Sequence, residues 1–146
     1  MAQHFTLQEA ERLLPKIEKA LREALTLKSD YEKAEAELEG VSHRIEMTGG
    51  VLVDREHLMA QKTRRDFSAV RLKQVLDAIQ QCGCVVKDID IGLIDFPTLF
   101  RGEQVCLCWK LGEPGIEFWH GLNEGFQGRK KIDQDFLDHH QGELSL

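Results

Sequence analysis

The sequence contains no apolar run approaching the roughly 20 residues that cross a bilayer, and Met1-Ala2-Gln3-His4-Phe5 opens neither a charged leader nor an apolar signal core. A cytoplasmic chain with no membrane partner is therefore expected. The sequence is also short of base, with 19 Lys and Arg against 25 Asp and Glu, a formal net charge of -6. Affinity for nucleic acid comes largely from Lys and Arg neutralising phosphates, so this balance argues against such a partner, despite Arg64, Arg65, Arg71, Lys73 and the Arg129-Lys130-Lys131 cluster. Phosphate-cradling glycine loops, a nucleophile elbow, H-E-x-x-H and paired E-x-x-H motifs are all missing, which removes the catalytic classes that carry them. The four cysteines form two C-x-C pairs, Cys82/Cys84 and Cys106/Cys108. Without a secretion signal they read as reduced thiols or metal ligands rather than a disulfide framework.

What is present is, first, helix. Thr6-Leu7-Gln8-Glu9 is a capping box, and Leu7, Leu13, Leu14, Ile17, Leu21, Ala24, Leu25, Tyr31, Ala34, Leu38, Val41 and Ile45 supply the apolar stripe of an amphipathic helix. Pro15 lies inside this pattern and predicts a kink. The acidic run Asp30 to Glu39 reads as a solvated face. Thr48-Gly49-Gly50 is a break, and after Val51-Leu52-Val53 comes a second helix capped by Asp54. That helix draws its apolar positions from Leu58, Met59, Phe67, Ala69, Val70, Leu72, Leu76 and Ile79, with Gly83 closing it. Its Lys and Arg complement the acids of the first helix, and an antiparallel hairpin over residues 6–82 is the simplest way to bury both stripes.

From Cys84 the periodicity changes to short runs rich in strand formers, separated by Asp, Gly and Pro. Arg101-Gly102-Glu103 and Gly112-Glu113-Pro114-Gly115 read as turns. A small antiparallel sheet over residues 85–120, a meander, should follow, with a partly ordered tail over 121–146. The fold class expected is α+β: a long antiparallel helical hairpin followed by a small antiparallel β-sheet, in a single domain of 146 residues.

Alternation places Val105, Leu107 and Trp109 on one face of their strand and Cys106, Cys108 and Lys110 on the other. Asp95 falls on the second face with Cys108. A buried Asp needs partners, so Asp95 is either satisfied by backbone donors or is a functional acid or ligand. His120 has the parity of Ile116 and Phe118, so it is expected to join Asp95 only across a bulge or a strand end. An all-cysteine zinc site has poor spacing here, because structural sites use C-x2-C or longer. A mixed set of Asp95, Cys108, Glu113 and His120, with Glu117 as another carboxylate in reach, offers ligand types that suit zinc or iron.

Four motifs in order and at characteristic spacing carry a resemblance. F-T-L-x-E-A-x-x-L-L-P (Phe5 to Pro15), G-L-x-D-F-P (Gly92 to Pro97), L-C-W-x-L-G-E (Leu107 to Glu113) and F-W-H (Phe118 to His120) together resemble the uncharacterised bacterial domain-of-unknown-function family 2203 over nearly the whole chain. The resemblance implies that Asp95, Pro97, Cys108, Trp109, Gly112, Glu113, Trp119 and His120 belong to the family pattern, whereas Cys82, Cys84 and Cys106 do not. It supplies no activity. The chain is read as a non-enzymatic binding or assembly module whose helices form a coiled-coil homodimer and whose Trp109 and Trp119 present an interaction surface to a protein partner. The alternative is a metal-dependent enzyme or sensor built on Asp95, Cys108, Glu113 and His120. A metal site requires these side chains to converge, whereas an interface requires them exposed.

Overall fold

The computed structural model describes residues 4–48 and 54–141. The expected break at Gly49-Gly50 and the apolar Val51-Leu52-Val53 lie outside the described residues. Helix α1 runs Leu7–Thr48 and α2 runs Arg55–Gln81. The first turn of α1 is closed reciprocally: the Glu9 amide donates to Thr6 Oγ1 and the Thr6 amide to Glu9 Oε1, each at 3.1 Å. Pro15 sits inside α1 without ending it, although it denies the Glu11 carbonyl its helical donor. Asp54 caps α2 by accepting from the His57 amide at 3.1 Å. At the other end Gly83, at φ 99, takes the left-handed conformation that closes a helix.

The chain forms two compact units, Arg22–Val75 and Met1–Leu21 with Leu76–Leu146. In the first, α1 and α2 pack antiparallel, since their cross-helix polar contacts run in opposite directions along the chain: the ion pairs of Glu23 with Arg71, Asp30 with Arg64 and Glu35 with Arg65, and the hydrogen bond of Glu37 with His57. These pairs are largely exposed and select alignment more than they add stability. Ala24, Leu27, Ala34 and Val41 of α1 are buried, as are Ser68 and Val75 of α2. The apolar residues of α2 divide differently from the expectation that all of them line the core: Met59, Phe67 and Val70 are 60–65% exposed. The inward stripe of α2 runs Leu58, Gln61, Arg65, Ser68, Leu72 and Val75, so its heptad positions are partly polar and the outward side carries the surplus.

The second unit is built on a sheet of six antiparallel strands: β1 (Val85–Asp88), β2 (Leu93–Phe100), β3 (Glu103–Lys110), β4 (Phe118–Gly121), β5 (Lys130–Lys131) and β6 (His140–Gln141). The order is the meander β1-β2-β3-β4-β5, with β6 also pairing β2. Beyond residue 121, a 3-10 turn at Phe126–Gly128 and helix α3 (Gln134–His139) precede the last strand, so the C-terminal segment contributes to the sheet through Gln141. The β2–β3 hairpin closes through Arg101 at φ 53 and Gly102 at φ 78, the paired left-handed conformation of a type I′ turn.

One face of this sheet is apolar. Ile94, Phe96, Leu107 and Trp109 are at most 1% exposed there, with Phe5 edge-on to Phe96 at 5.5 Å between centroids. Phe100, Trp119 and Phe136 cluster on the same side with centroids 5.0–5.1 Å apart. Phe136 stacks in turn on His140, whose Nε2 accepts from the Leu7 amide at 3.2 Å and so ties the end of the described chain to the start of α1. Among the described residues no helix is long and apolar enough to cross a membrane.

Candidate metal centre

The opposite face of the sheet holds the polar cluster, and the register explains how. Asp95 of β2 lies opposite Cys108 of β3, and Cys106 of β3 lies opposite His120 of β4. Opposed residues of an antiparallel pair share a face, as do residues two apart on one strand. Asp95, Cys106, Cys108 and His120 therefore all project to one side, and they are 1%, 7%, 0% and 4% exposed. The expectation that His120 needs a bulge to reach Asp95 is corrected by the same register. That expectation assumed Phe118 to lie on the aliphatic face; instead Phe118 opposes Cys108 on the polar face. Its ring is accommodated there because the guanidinium of Arg129 lies over it at 4.0 Å.

Three ligand-type atoms, a carboxylate oxygen of Asp95, the Cys106 Sγ and a ring nitrogen of His120, lie within 4.8 Å of one another. His120 Nε2 is 3.0 Å from Asp95 Oδ1, and its Nδ1 is 2.8 Å from the Gly121 carbonyl oxygen. A carbonyl only accepts, so Nδ1 carries a proton. In the neutral ring Nε2 is then a bare lone pair facing an oxygen that, when ionised, also only accepts. A positive species must lie between them, either a proton or a metal ion. Asp95 Oδ2 is buried without a hydrogen-bond partner among the described residues, a cost that a site of this polarity would be expected to recover through a ligand.

Cys106 and Cys108 are not activated nucleophiles. Burial, and then the charge of Asp95, push the Cys106 thiol up to about 11, with Lys87 opposing, and the Cys108 thiol up to about 12, with Arg129 opposing. A cysteine–histidine nucleophile also needs a ring nitrogen turned to the thiol. Here both ring nitrogens face acceptors, Gly121 and Asp95.

Of the residues proposed from sequence, the structure brings Asp95 and His120 into contact and places Cys108 on the same face beside Asp95. Glu113 is engaged elsewhere: its Oε1 accepts from the Lys110 amide at 2.7 Å and pairs with Arg129. Glu117 is exposed at the strand edge. Trp109 is 1% exposed, with its Nε1 donating to the Glu113 carbonyl at 3.1 Å. Trp119 is half-buried, with Lys130 Nζ over its ring at 4.8 Å. Cys106, absent from the sequence-derived set, joins the cluster. Its signal was the two-residue spacing from Cys108, which in a strand dictates a shared face. Arg129, in sequence one of a basic Arg129-Lys130-Lys131 cluster, donates to the Cys108 carbonyl at 3.3 Å with its side chain 10% exposed.

A family model described as uncharacterized conserved protein (DUF2203) matches residues 3–132. No curated protein and no solved structure matches the chain.

Proposed function

The chain belongs to the DUF2203 family of uncharacterized conserved proteins, and from the geometry of its sheet we propose that it is a metal-binding protein that holds one zinc ion on Asp95, Cys106 and His120. The observation that supports this reading is the buried convergence of three ligand types: His120 Nε2 lies 3.0 Å from Asp95 Oδ1, and the Cys106 thiol completes a group within 4.8 Å. The hydrogen bond from Nδ1 to Gly121 is the outer-shell contact that fixes the tautomer of a metal-bound histidine and aims Nε2 at the ion. Tetrahedral zinc with bonds of about 2.0–2.3 Å keeps its ligand atoms roughly 3.3–3.7 Å apart, so atoms now within 4.8 Å of one another need to close by at most about 1.5 Å. Thiolate, imidazole and carboxylate together suit zinc, with ferrous iron as the competitor. Bound there, the ion would supply a Lewis acid inside a closed sheet face, and the near-complete burial of all three residues favours binding over turnover of a substrate.

Elemental analysis of untagged protein purified without chelator tests the reading and identifies the element. The expected result is one metal per chain, lost in Cys106→Ser and His120→Ala. Wild-type protein that is folded, metal-free and unable to take up added zinc would sink it.

A separate observation favours self-association as a second property. Met59, Phe67 and Val70 fall within about 80° of one another on the wheel of α2 at 3.6 residues per turn. They lie opposite the stripe that contains Ser68 and Val75 and are 60–65% exposed. This surplus apolar strip suits pairing with the same strip of a second copy, as a homodimer through the long helices.

A further inference from the structure

We infer that Cys108 is the fourth protein ligand of this centre, so that β3 grips the ion with both of its inward thiols and leaves no position for water or substrate. The inference rests on the metal reading above and goes beyond it, because three protein ligands describe an open site and four describe a closed one.

The register is the first support. Asp95 opposite Cys108 and Cys106 opposite His120 are adjacent cross-strand pairs on one sheet face, which sets the four Cβ atoms around a single quadrilateral. Every corner carries a metal-ligand type, and none is more than 7% exposed. A water in the fourth position would need room and further polar partners, yet the face offers a second thiol at 0% exposure instead.

The second support is that the other carboxylate proposed for the set is committed. Glu113 holds the Lys110 amide and Arg129, an arrangement that fastens the Gly112–Gly115 turn and the segment before β5. The Cys108 carbonyl accepts from Arg129, and its thiol hydrogen-bonds to Asp95, a ligand of the same proposed set. Its Sγ lies outside the 4.8 Å group formed by Asp95, Cys106 and His120, so it has to move toward that group when the ion binds. Two thiolates and a carboxylate around a divalent ion leave one negative charge. The half-buried Arg129 guanidinium, which donates to the Cys108 carbonyl, is a nearby cation, and it shares its charge with Glu113.

Zinc K-edge X-ray absorption on wild-type protein counts the sulfur ligands directly and needs no variant. Two sulfurs per zinc are expected; one sulfur overturns the inference and leaves the three-ligand site standing. Cobalt(II) titration provides the residue assignment through thiolate-to-cobalt charge-transfer absorption in the near ultraviolet. Cys106→Ser and Cys108→Ser should each remove roughly half of that absorption if each residue supplies one of two thiolates. Full intensity in a Cys108→Ser protein whose circular dichroism matches wild type would overturn the assignment. Wild-type protein that binds neither zinc nor cobalt would remove the metal reading itself, a different result from a bound ion with a single sulfur.

Discussion

Replacing Asp95 by Asn separates two roles of its carboxylate. The Asn amide can donate to His120 Nε2 across the 3.0 Å contact and keep the apo fold satisfied, but it removes an anionic ligand. Asp95→Asn is therefore expected to unfold in urea close to wild type with chelator present, while its zinc affinity falls by at least about tenfold. His120→Ala leaves a carboxylate buried without its partner, which should cost about 3–5 kcal/mol in the same urea experiment. Equal destabilisation by the two variants would contradict this division. The thiols supply a pH signature. Cys84, Cys106 and Cys108 are raised from an ordinary 9.0 to about 12, 11 and 12. A thiol pKa higher in the folded state stabilises the fold below pH 9 and loses that contribution as pH rises through the folded values. Chelated protein should therefore melt at a lower temperature at pH 10.5 than at pH 8. Metal binding has the opposite sign, because the ion must displace the Cys106 proton: zinc affinity should rise about tenfold or more per pH unit below 11. Melting curves with chelator and zinc titrations across pH check the two trends. At this scale Asp95 and His120 are identifiable from residue type, whereas Cys106 matches no part of the family's motifs and is signalled only by the strand parity it shares with Cys108.

At the scale of elements, the local punctuation worked where its physics is local. The capping box at Thr6, the Asp54 cap, the Gly83 stop and the Arg101-Gly102 turn each depend on a few neighbouring backbone groups, and each stands where composition placed it. Gly92 shows a requirement that composition hides. It has φ +69, and a Cβ there would lie 2.5 Å from Leu111 Cβ and 3.1 Å from Leu21 Cδ2. Its carbonyl meanwhile accepts from the Leu111 amide at 2.9 Å. Gly92→Ala should lower unfolding free energy by roughly 1–3 kcal/mol, from left-handed strain and forced displacement of Leu111. Denaturant unfolding at fixed pH measures it, and a neutral substitution would mean that β2 enters the sheet less tightly than these distances require. The wrong face for Phe118 has an element-scale cause as well. Parity was assigned by assuming that an aromatic residue marks the core side, and a guanidinium 11 residues further along made the polar face hospitable to its ring.

For the molecule as a whole, the strip of Met59, Phe67 and Val70 predicts association through the Arg22–Val75 unit. Phe67→Glu should shift sedimentation at tens of micromolar from dimer to monomer while leaving zinc content unchanged, since Phe67 is 65% exposed and belongs to the Arg22–Val75 unit. A wild-type chain that sediments as a monomer at that concentration would remove the pairing. Loss of zinc on dissociation would instead show that the centre depends on the assembly.

The sequence by itself determined the helical hairpin, the meander of short strands, the turns between them and the residue types able to hold a metal. Each of these follows from periodicity, capping and turn chemistry acting over a few residues. Tertiary structure alone decided which face of α2 is buried, which side of β4 Phe118 and His120 occupy, and that Cys106 rather than Glu113 stands with Asp95 and His120. These outcomes depend on cross-strand register and on competition between distant partners. Arg129, 16 residues beyond Glu113, takes that carboxylate away, while the pairing of β3 with β4 brings His120 alongside Cys106.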